Sequence, residues 1–329
     1  MRSLRLLLFS PLPVAADARA ALAGLPGLAR ILSRARTASF ADRDLESALL
    51  DSFGVQRQRD WPVAPFSWLG DGGETGARYW LRADPVHLRA ERDALLLVDA
   101  RHFQLEAEPA SALIEALNAH FESDGLRFFA PSPSRWYVAV DRTSEIVTSP
   151  LRAAAGRNID PLLPKGADAL TWHRWFNEIQ MLFHSHAVNE AREAAGELTV
   201  NSVWFWGGGV LPDAVPGVFA SVLGDDPLAR GLALASGASW APLPNRAEQW
   251  LTQASQGEHV LVLNPVPADR GNSLADLEQE WFTPMLRALR GRQLSMLSLL
   301  VGSGDGTLRF DLSAGDLWKF WRRAPVLAH

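Results

Sequence analysis

The chain has no cysteine among its 329 residues. Disulfides, thiolate nucleophiles, cysteine-ligated zinc and iron–sulfur clusters are excluded together, while the compartment stays open. No apolar stretch approaches the ~18–20 residues that span a bilayer, so no membrane is expected as a partner. No run of like charge stands out either. The net charge is −5, and without a basic arm or stripe nucleic acid is not an expected partner. Tyrosine is scarce, two against thirteen tryptophans; most of those indoles are expected in packed interiors and a minority along a cleft. Internal repeats and low-complexity segments are absent. What remains is 47% hydrophobic and 21% charged, a globular composition that suits one large domain or two of moderate size. The start carries arginines and a short apolar run, but that run is broken by Ser10-Pro11. A buried first strand, and hence a cytoplasmic location, is the preferred reading over a signal peptide.

The stretch from Asp168 to Pro212 organises the rest. Trp172, Trp175, Phe176, Ile179, Leu182, Phe183 and His186 draw one apolar stripe at helical spacing. Asp168 or Thr171 can cap its start, and Gly196 can end it. Val200–Trp206 then reads as a strand, stopped by Gly207-Gly208-Gly209 and Pro212. A helix feeding a strand that ends in glycines predicts an α/β unit whose loop opens at a sheet's carboxyl edge.

In chain order, Leu4–Phe9 reads as a strand and roughly 15–36 as an interrupted helix. Residues 54–76 have loop composition, with Pro62, Pro65, Gly70, Gly72, Gly73 and Gly76. Short strands are expected near 79–82, 95–98, 103–105, 126–129 and 136–140, with an amphipathic helix over 110–121. That is the pattern of a small α+β unit. Residues 77–166 are therefore expected to form a domain inserted into a core made of 1–76 and 167–329. Beyond the glycines, strands at 218–223, 259–263, 295–301 and 307–312 alternate with helices at 227–236, 248–256 and 273–289. The fold class is α/β: a mostly parallel sheet with an antiparallel edge, flanked by helices.

The segment His186-Ala-Val-Asn189, Arg192, Gly196, Val200-Asn201, Trp204-Phe-Trp-Gly-Gly-Gly209 and Pro212 resembles the archaeal-type cofactor-independent phosphoglycerate mutases. The sequence also looks like a proteobacterial family labelled phosphoglycerate mutase or E-type regulatory protein for pathogenicity factors. That likeness includes Arg78–Val86, Trp172-His-Arg174, Asn177–Met181 and Asp316–Arg322. The resemblance implies an alkaline-phosphatase-like core interrupted by an inserted domain. It also implies chemistry with two divalent metals, manganese or zinc, and a phosphorylated serine.

Two metals need several carboxylates and imidazoles converging from strand ends. The mutases carry an Asp-Gly after the first strand; here Ser10-Pro11 stands there. They use an Asp-x-x-x-His and an Asp-His pair, and this chain contains neither spacing. Only His259 and His329 fall in the expected core outside the long helix. No catalytic or metal residue is assigned, since nothing marks Ser33, Thr37 or Ser39 as an activated nucleophile. The expectation is a non-catalytic or regulatory protein without a cofactor, partnered by a phosphorylated small molecule or another protein. The alternative is an active metal-dependent mutase or phosphoesterase with a rewired site.

The candidate ligand-binding residues are Arg192, Asn189, Asn201, Gly207, Gly208, Gly209, Arg157 and Arg82. An arginine fork among them can hold a phosphate or carboxylate, or these polar groups can bond backbone across a domain hinge. The glycines read equally as an anion cradle or as turn geometry. Trp204 and Trp206 point to one side of their strand and Phe205 to the other. His184 and His186 sit on different helix faces and suit packing or a helix-end bond better than a shared metal.

Overall fold

A computed structural model describes residues 2–8, 22, 24–41, 44–92, 94–263, 273–303, 306–319 and 321. In chain order the strands are β1 (Arg2–Leu8), β2 (Arg36–Ala41), β3 (Tyr79–Glu91), β4 (Ala94–Asp99), β5 (Leu126–Ser132), β6 (Arg135–Val140), β7 (Ile146–Val147) and β8 (Lys165–Gly166). There follow β9 (Ser202–Gly209), β10 (Ser221–Leu223), β11 (Ser239–Ala241), β12 (Gly257–Leu263), β13 (Met296–Ser303) and β14 (Gly306–Ser313). The chain forms two compact units, one of residues 1–55 with 214–329, the other of 56–213.

The first unit is built on a seven-stranded sheet in the order β11-β10-β12-β1-β13-β14-β2. Strands β11, β10, β12, β1 and β13 run parallel, and β14 and β2 add the antiparallel edge. Period-two alternation sends Leu4, Leu6 and Leu8 of β1 to one face. There they pack with Leu28 and Ile31 from helix Pro26–Arg34, Trp281 and Phe282 from the π-helical segment Glu278–Phe282, and Met285 and Leu289 from helix Thr283–Arg290. Helices Leu45–Ser52 and Pro227–Ser236 belong to the opposite face. The second of these has the bounds its sequence predicts, because both ends are locally encoded. Asp226 accepts from the Leu228 N–H, and Gly237 closes the helix at φ +72°.

Glu278 supplies a long-range cap that spacing could not reveal. Its buried carboxylate accepts the Gly27 N–H at 2.7 Å, the Leu28 N–H at 2.9 Å and the Thr283 hydroxyl at 2.5 Å. It thereby satisfies orphan donors at the start of helix Pro26–Arg34 and meets the positive end of its dipole. Glu278→Ala is expected to cost about 2 kcal/mol, read as a lower urea midpoint. A change below about 0.5 kcal/mol would show that water replaces the carboxylate freely.

In the second unit β3 is central. It pairs antiparallel with β9 along one edge, and with β6 and then β4 along the other; β5 follows β6. Tyr79, Leu81, Ala83, Val138, Val203 and Phe205 face helices Ala107–Phe121 and Ala169–His184, where Leu113, Leu117, Trp172, Ile179 and Phe183 close the core. Trp80, Tyr137 and Ala139 face the other way, against Ala64 and Trp68 of helix Val63–Gly70.

This arrangement departs from several expectations. The strand ending in glycines pairs with β3, so the long helix and β9 belong to the unit of residues 56–213 rather than to a core beginning at 167. Gly207–Gly209 lie within β9, buried in an antiparallel sheet, and not in a loop at a parallel sheet's carboxyl edge. The loop expected over 54–76 contains helix Val63–Gly70. Pro62 stands before its first residue and Pro65 in its first turn, where a missing N–H costs nothing. The stripe expected through His186 breaks at Ser185; His186 instead caps helix Ala187–Ala194, accepting the Val188 N–H. Asp168 does not cap with its side chain. Its carboxylate accepts from the Glu145 N–H and the Ser144 hydroxyl, which hold it below the ordinary carboxylate range. The expected strand at 103–105 is irregular. The first half of the expected helix over 15–36 lies largely outside the described residues.

Candidate functional site

The candidate residues fall in the second unit, and most are consumed by its own backbone. The Asn189 amide donates to the Phe183 and Val200 carbonyls at 2.8 Å each and accepts the Val200 N–H at 2.9 Å. Arg192, 7% exposed, donates to the Leu198 carbonyl at 2.7 Å and the Gln104 carbonyl at 2.8 Å. Its remaining nitrogen pairs with Glu197 at 3.1 Å. Together they fix the turn from helix Ala187–Ala194 into β9. Asn201 accepts the Leu88 N–H at 2.7 Å and donates to the Leu88 carbonyl at 2.9 Å, an amide imitating one more rung of the β3–β9 ladder. Arg157 stands apart, exposed, with one long bond to the Ala153 carbonyl.

The glycines are required by close approach. Gly207 has φ +67°, and a Cβ there would lie 2.8 Å from Val63 Cβ. A Cβ on Gly208 would lie 2.3 Å from the Tyr79 hydroxyl, and one on Gly209 2.5 Å from Pro62 Cβ. The space an anion would need is already filled. The Gly207 N–H donates to the Thr148 hydroxyl at 3.0 Å. That hydroxyl in turn donates to Asp60, a carboxyl pushed up by burial although Thr148 and Trp61 bond it.

Arg82 lies beside these glycines in the neighbouring strand. Its guanidinium sits 5.1 Å from the Tyr137 ring centroid and 5.1 Å from that of Trp206. It donates to Asp84 at 2.6 Å. Asp84 also accepts the Trp206 indole N–H at 2.8 Å and the Trp136 N–H at 3.2 Å. Nearby, Asp71 accepts two bonds from Arg135 at 2.7 Å each and the Tyr137 hydroxyl at 2.6 Å. Burial disfavours the Arg135 charge, yet this fork on Asp71 holds its pKa above the ordinary value. Burial pushes the Tyr137 phenol well up, so it stays a neutral donor. Sequence reasoning missed Asp71 and Arg135, and it read Asp84 with His87 as a possible chelating pair or a strand-edge residue, because the partners Arg135, Tyr137, Trp136 and Trp206 lie far away in the chain. Only the dense aromatic and arginine content of 68–82 hinted at such a cluster.

Among the described residues the histidines offer no metal site. His173 meets the Pro164 carbonyl at 2.8 Å, and His87 meets that of Thr199 at 2.9 Å. Asp99 takes Arg101 and His102 into a local turn. In the first unit both His259 ring nitrogens are engaged, with the Ser221 hydroxyl at 2.7 Å and the Ser255 carbonyl at 3.1 Å. Burial lowers its pKa and keeps it neutral.

The carboxyl edge of the seven-stranded sheet is where this fold class places chemistry. The segments after β1, β12 and β13, with Ser10, Pro11 and Asp305, lie outside the described residues. Described at that edge are Asp44 and Glu46 at the start of helix Leu45–Ser52, and Asp225 and Asp226 after β10. Among the described residues no group of three or more histidines or carboxylates could hold a metal ion. Among the described residues, the donors at that edge do not fit a pair of divalent cations. No helix among the described residues is long and apolar enough to cross a membrane.

Fold and topology define an α/β protein: a seven-stranded, mostly parallel sheet in one unit and an antiparallel sheet in the other. The chain is distantly related to the cofactor-independent phosphoglycerate mutases. It is 25% identical over 182 residues to a probable 2,3-bisphosphoglycerate-independent phosphoglycerate mutase of Geobacter sulfurreducens, covering 53% of this chain and 45% of that protein. It is 29% identical over 123 residues to 2,3-bisphosphoglycerate-independent phosphoglycerate mutase 2 of Methanothermobacter thermautotrophicus, covering 36% and 30%. The matched stretches thus span less than half the length of these curated relatives. Among solved structures, the PH0037 protein of Pyrococcus horikoshii shares the fold, with a TM-score of 0.52 at 15% identity over 94% of this chain and 87% of that one. No family model matches the chain.

Proposed function

We propose that this protein is a regulatory or binding relative of the cofactor-independent phosphoglycerate mutases that does not itself transfer phosphate. We place it in the cytoplasm, acting on a phosphorylated metabolite or a protein partner. The observation that carries the reading is the donor inventory of the first unit. Its described residues contain no metal-competent cluster, and the segments outside them that follow β1, β12 and β13, 9–21, 264–272 and 304–305, contain no histidine and three carboxylates, Asp17, Asp269 and Asp305. Paired divalent ions in a phosphoryl-transfer site need several such ligands. The finer likeness to a regulatory family rests on the segments Arg78–Val86 and Asp316–Arg322. Of the second, Trp318 is 80% exposed, a surface indole suited to a protein partner. Of the arginines first considered for phosphate, Arg157 keeps an exposed guanidinium, whereas Arg192 and Arg82 are committed to carbonyls, carboxylates and rings.

The test is a coupled assay with 3-phosphoglycerate and added Mn²⁺, beside metal analysis of protein purified without chelators. The expected result is no turnover above a control protein and no stoichiometric metal. Turnover with two bound equivalents of manganese or zinc would establish the rewired enzyme instead.

A further inference from the structure

One arginine of the first unit is not accounted for by the fold. Arg5 sits in the middle of β1, in register with Ser298 of β13, which pairs in turn with Asp311 of β14. These three form a polar row across the sheet face opposite the Leu4, Leu6 and Leu8 core. Asp311 is fully engaged, accepting the Ser298 hydroxyl at 2.6 Å and the Arg309 Nε–H at 3.0 Å. Arg5 lies over the Phe219 ring at 5.2 Å. Among the described residues its guanidinium has no hydrogen bond and no ion pair. Burial lowers its pKa, and Glu258, Asp311 and Asp51 act on it only through space. It borders a half-open cavity of about 410 Å³, walled also by Ser3, Glu258, Ser298, Arg309 and Asp311. The cavity lies toward the amino ends of the parallel strands, away from the edge where the relatives' chemistry would be sought.

The Arg5 fork is open to the cavity and, among the described residues, has no protein acceptor there, so it is available to an anion. The fork matches a carboxylate or a phosphate. The neighbouring carboxylates decide between them. Arg309 and Asp311 pair with each other, which leaves Arg5 and Glu258: a phosphate dianion would face Glu258 uncompensated, whereas a singly charged carboxylate bearing its own cation would find Arg5 on one side and Glu258 on the other. The volume suits a small molecule. We infer that this cavity binds a small amino-acid-like zwitterion, its carboxylate on the Arg5 guanidinium and its ammonium directed to Glu258.

The test compares thermal unfolding of the full chain and of Arg5→Met with individual proteinogenic amino acids, acetate or inorganic phosphate, each at about 10 mM. At tenfold the dissociation constant, a ligand of the wild type should raise the midpoint by about 3–5 °C. Expected is such a rise with one or more amino acids in the wild type, abolished in Arg5→Met and weakened in Arg5→Lys, which keeps the charge but loses the fork. An equal response to phosphate or acetate would overturn the zwitterion. Absence of any Arg5-dependent shift would overturn the site. Neither outcome bears on phosphoryl transfer, which the metal and turnover assays read separately.

Discussion

Asp84→Ala is expected to cost about 3–5 kcal/mol, the range for breaking a buried charged pair by removing one partner. Asp84 is 1% exposed, and the Arg82 side chain it binds is 12% exposed. Truncation leaves the guanidinium between Tyr137 and Trp206 without that carboxylate. It also leaves the Trp206 indole N–H and the Trp136 backbone N–H without their acceptor. Two orphaned neutral donors add about 1–3 kcal/mol each where water cannot enter, so the upper half of the range is favoured. Urea denaturation followed by tryptophan fluorescence reads the loss directly. Replacing both members, Arg82→Met with Asp84→Leu, removes the uncompensated charge and should recover part of it, the two N–H groups remaining unserved. Should Asp84→Ala lose less than about 1 kcal/mol, water must reach this cluster and its role as a buried clamp is wrong.

The same cluster explains what could and could not be read in advance. Local chemistry was legible. Asp226 and Gly237 bound their helix, the Leu4, Leu6, Leu8 alternation marks β1, and strand–helix alternation after Gly209 predicts the parallel sheet. Pairing across long separations was not. Nothing in Val200–Gly209 says whether its neighbour runs parallel or antiparallel, and the answer moved 47 residues, 167–213, from the expected core to the other unit. Asp71 meets Arg135 at a separation of 64 residues and Asp84 meets Trp206 at 122, distances over which no motif operates. Asn189, Arg192 and Asn201 stand out in the sequence as polar residues at an expected seam between insert and core. Their bonds go to backbone within one unit, because a buried turn must satisfy its own carbonyls first. Arg5 is visible as a charge inside a leucine-rich strand, but nothing in that strand says which carboxylates line the cavity beside it.

The glycines of β9 supply the other large effect. Gly208→Ala is expected to cost about 3 kcal/mol, the upper end for overpacking a filled interior. The new methyl would stand 2.3 Å from the Tyr79 hydroxyl oxygen, 2.9 Å from Cζ and 3.3 Å from Leu81 Cδ2. Tyr79 is 4% exposed and anchored in β3, so the ring cannot swing away cheaply. Its hydroxyl is buried without a hydrogen-bond partner, and burial raises its pKa. Tyr79→Phe alone should therefore be neutral or stabilising by up to about 1 kcal/mol. In the Gly208→Ala background it removes the atom in closest conflict and should recover a substantial share of the loss. The coupling between the two sites is then the measured quantity. Gly209→Ala is the control, since its methyl would meet Pro62 Cβ at 2.5 Å and Pro62 Cα at 3.0 Å, contacts that Tyr79→Phe leaves untouched. If instead Gly208→Ala is tolerated, or Tyr79→Phe rescues both glycine variants alike, close packing is not what these positions demand. An anion cradle at the triple glycine would then return as the better explanation.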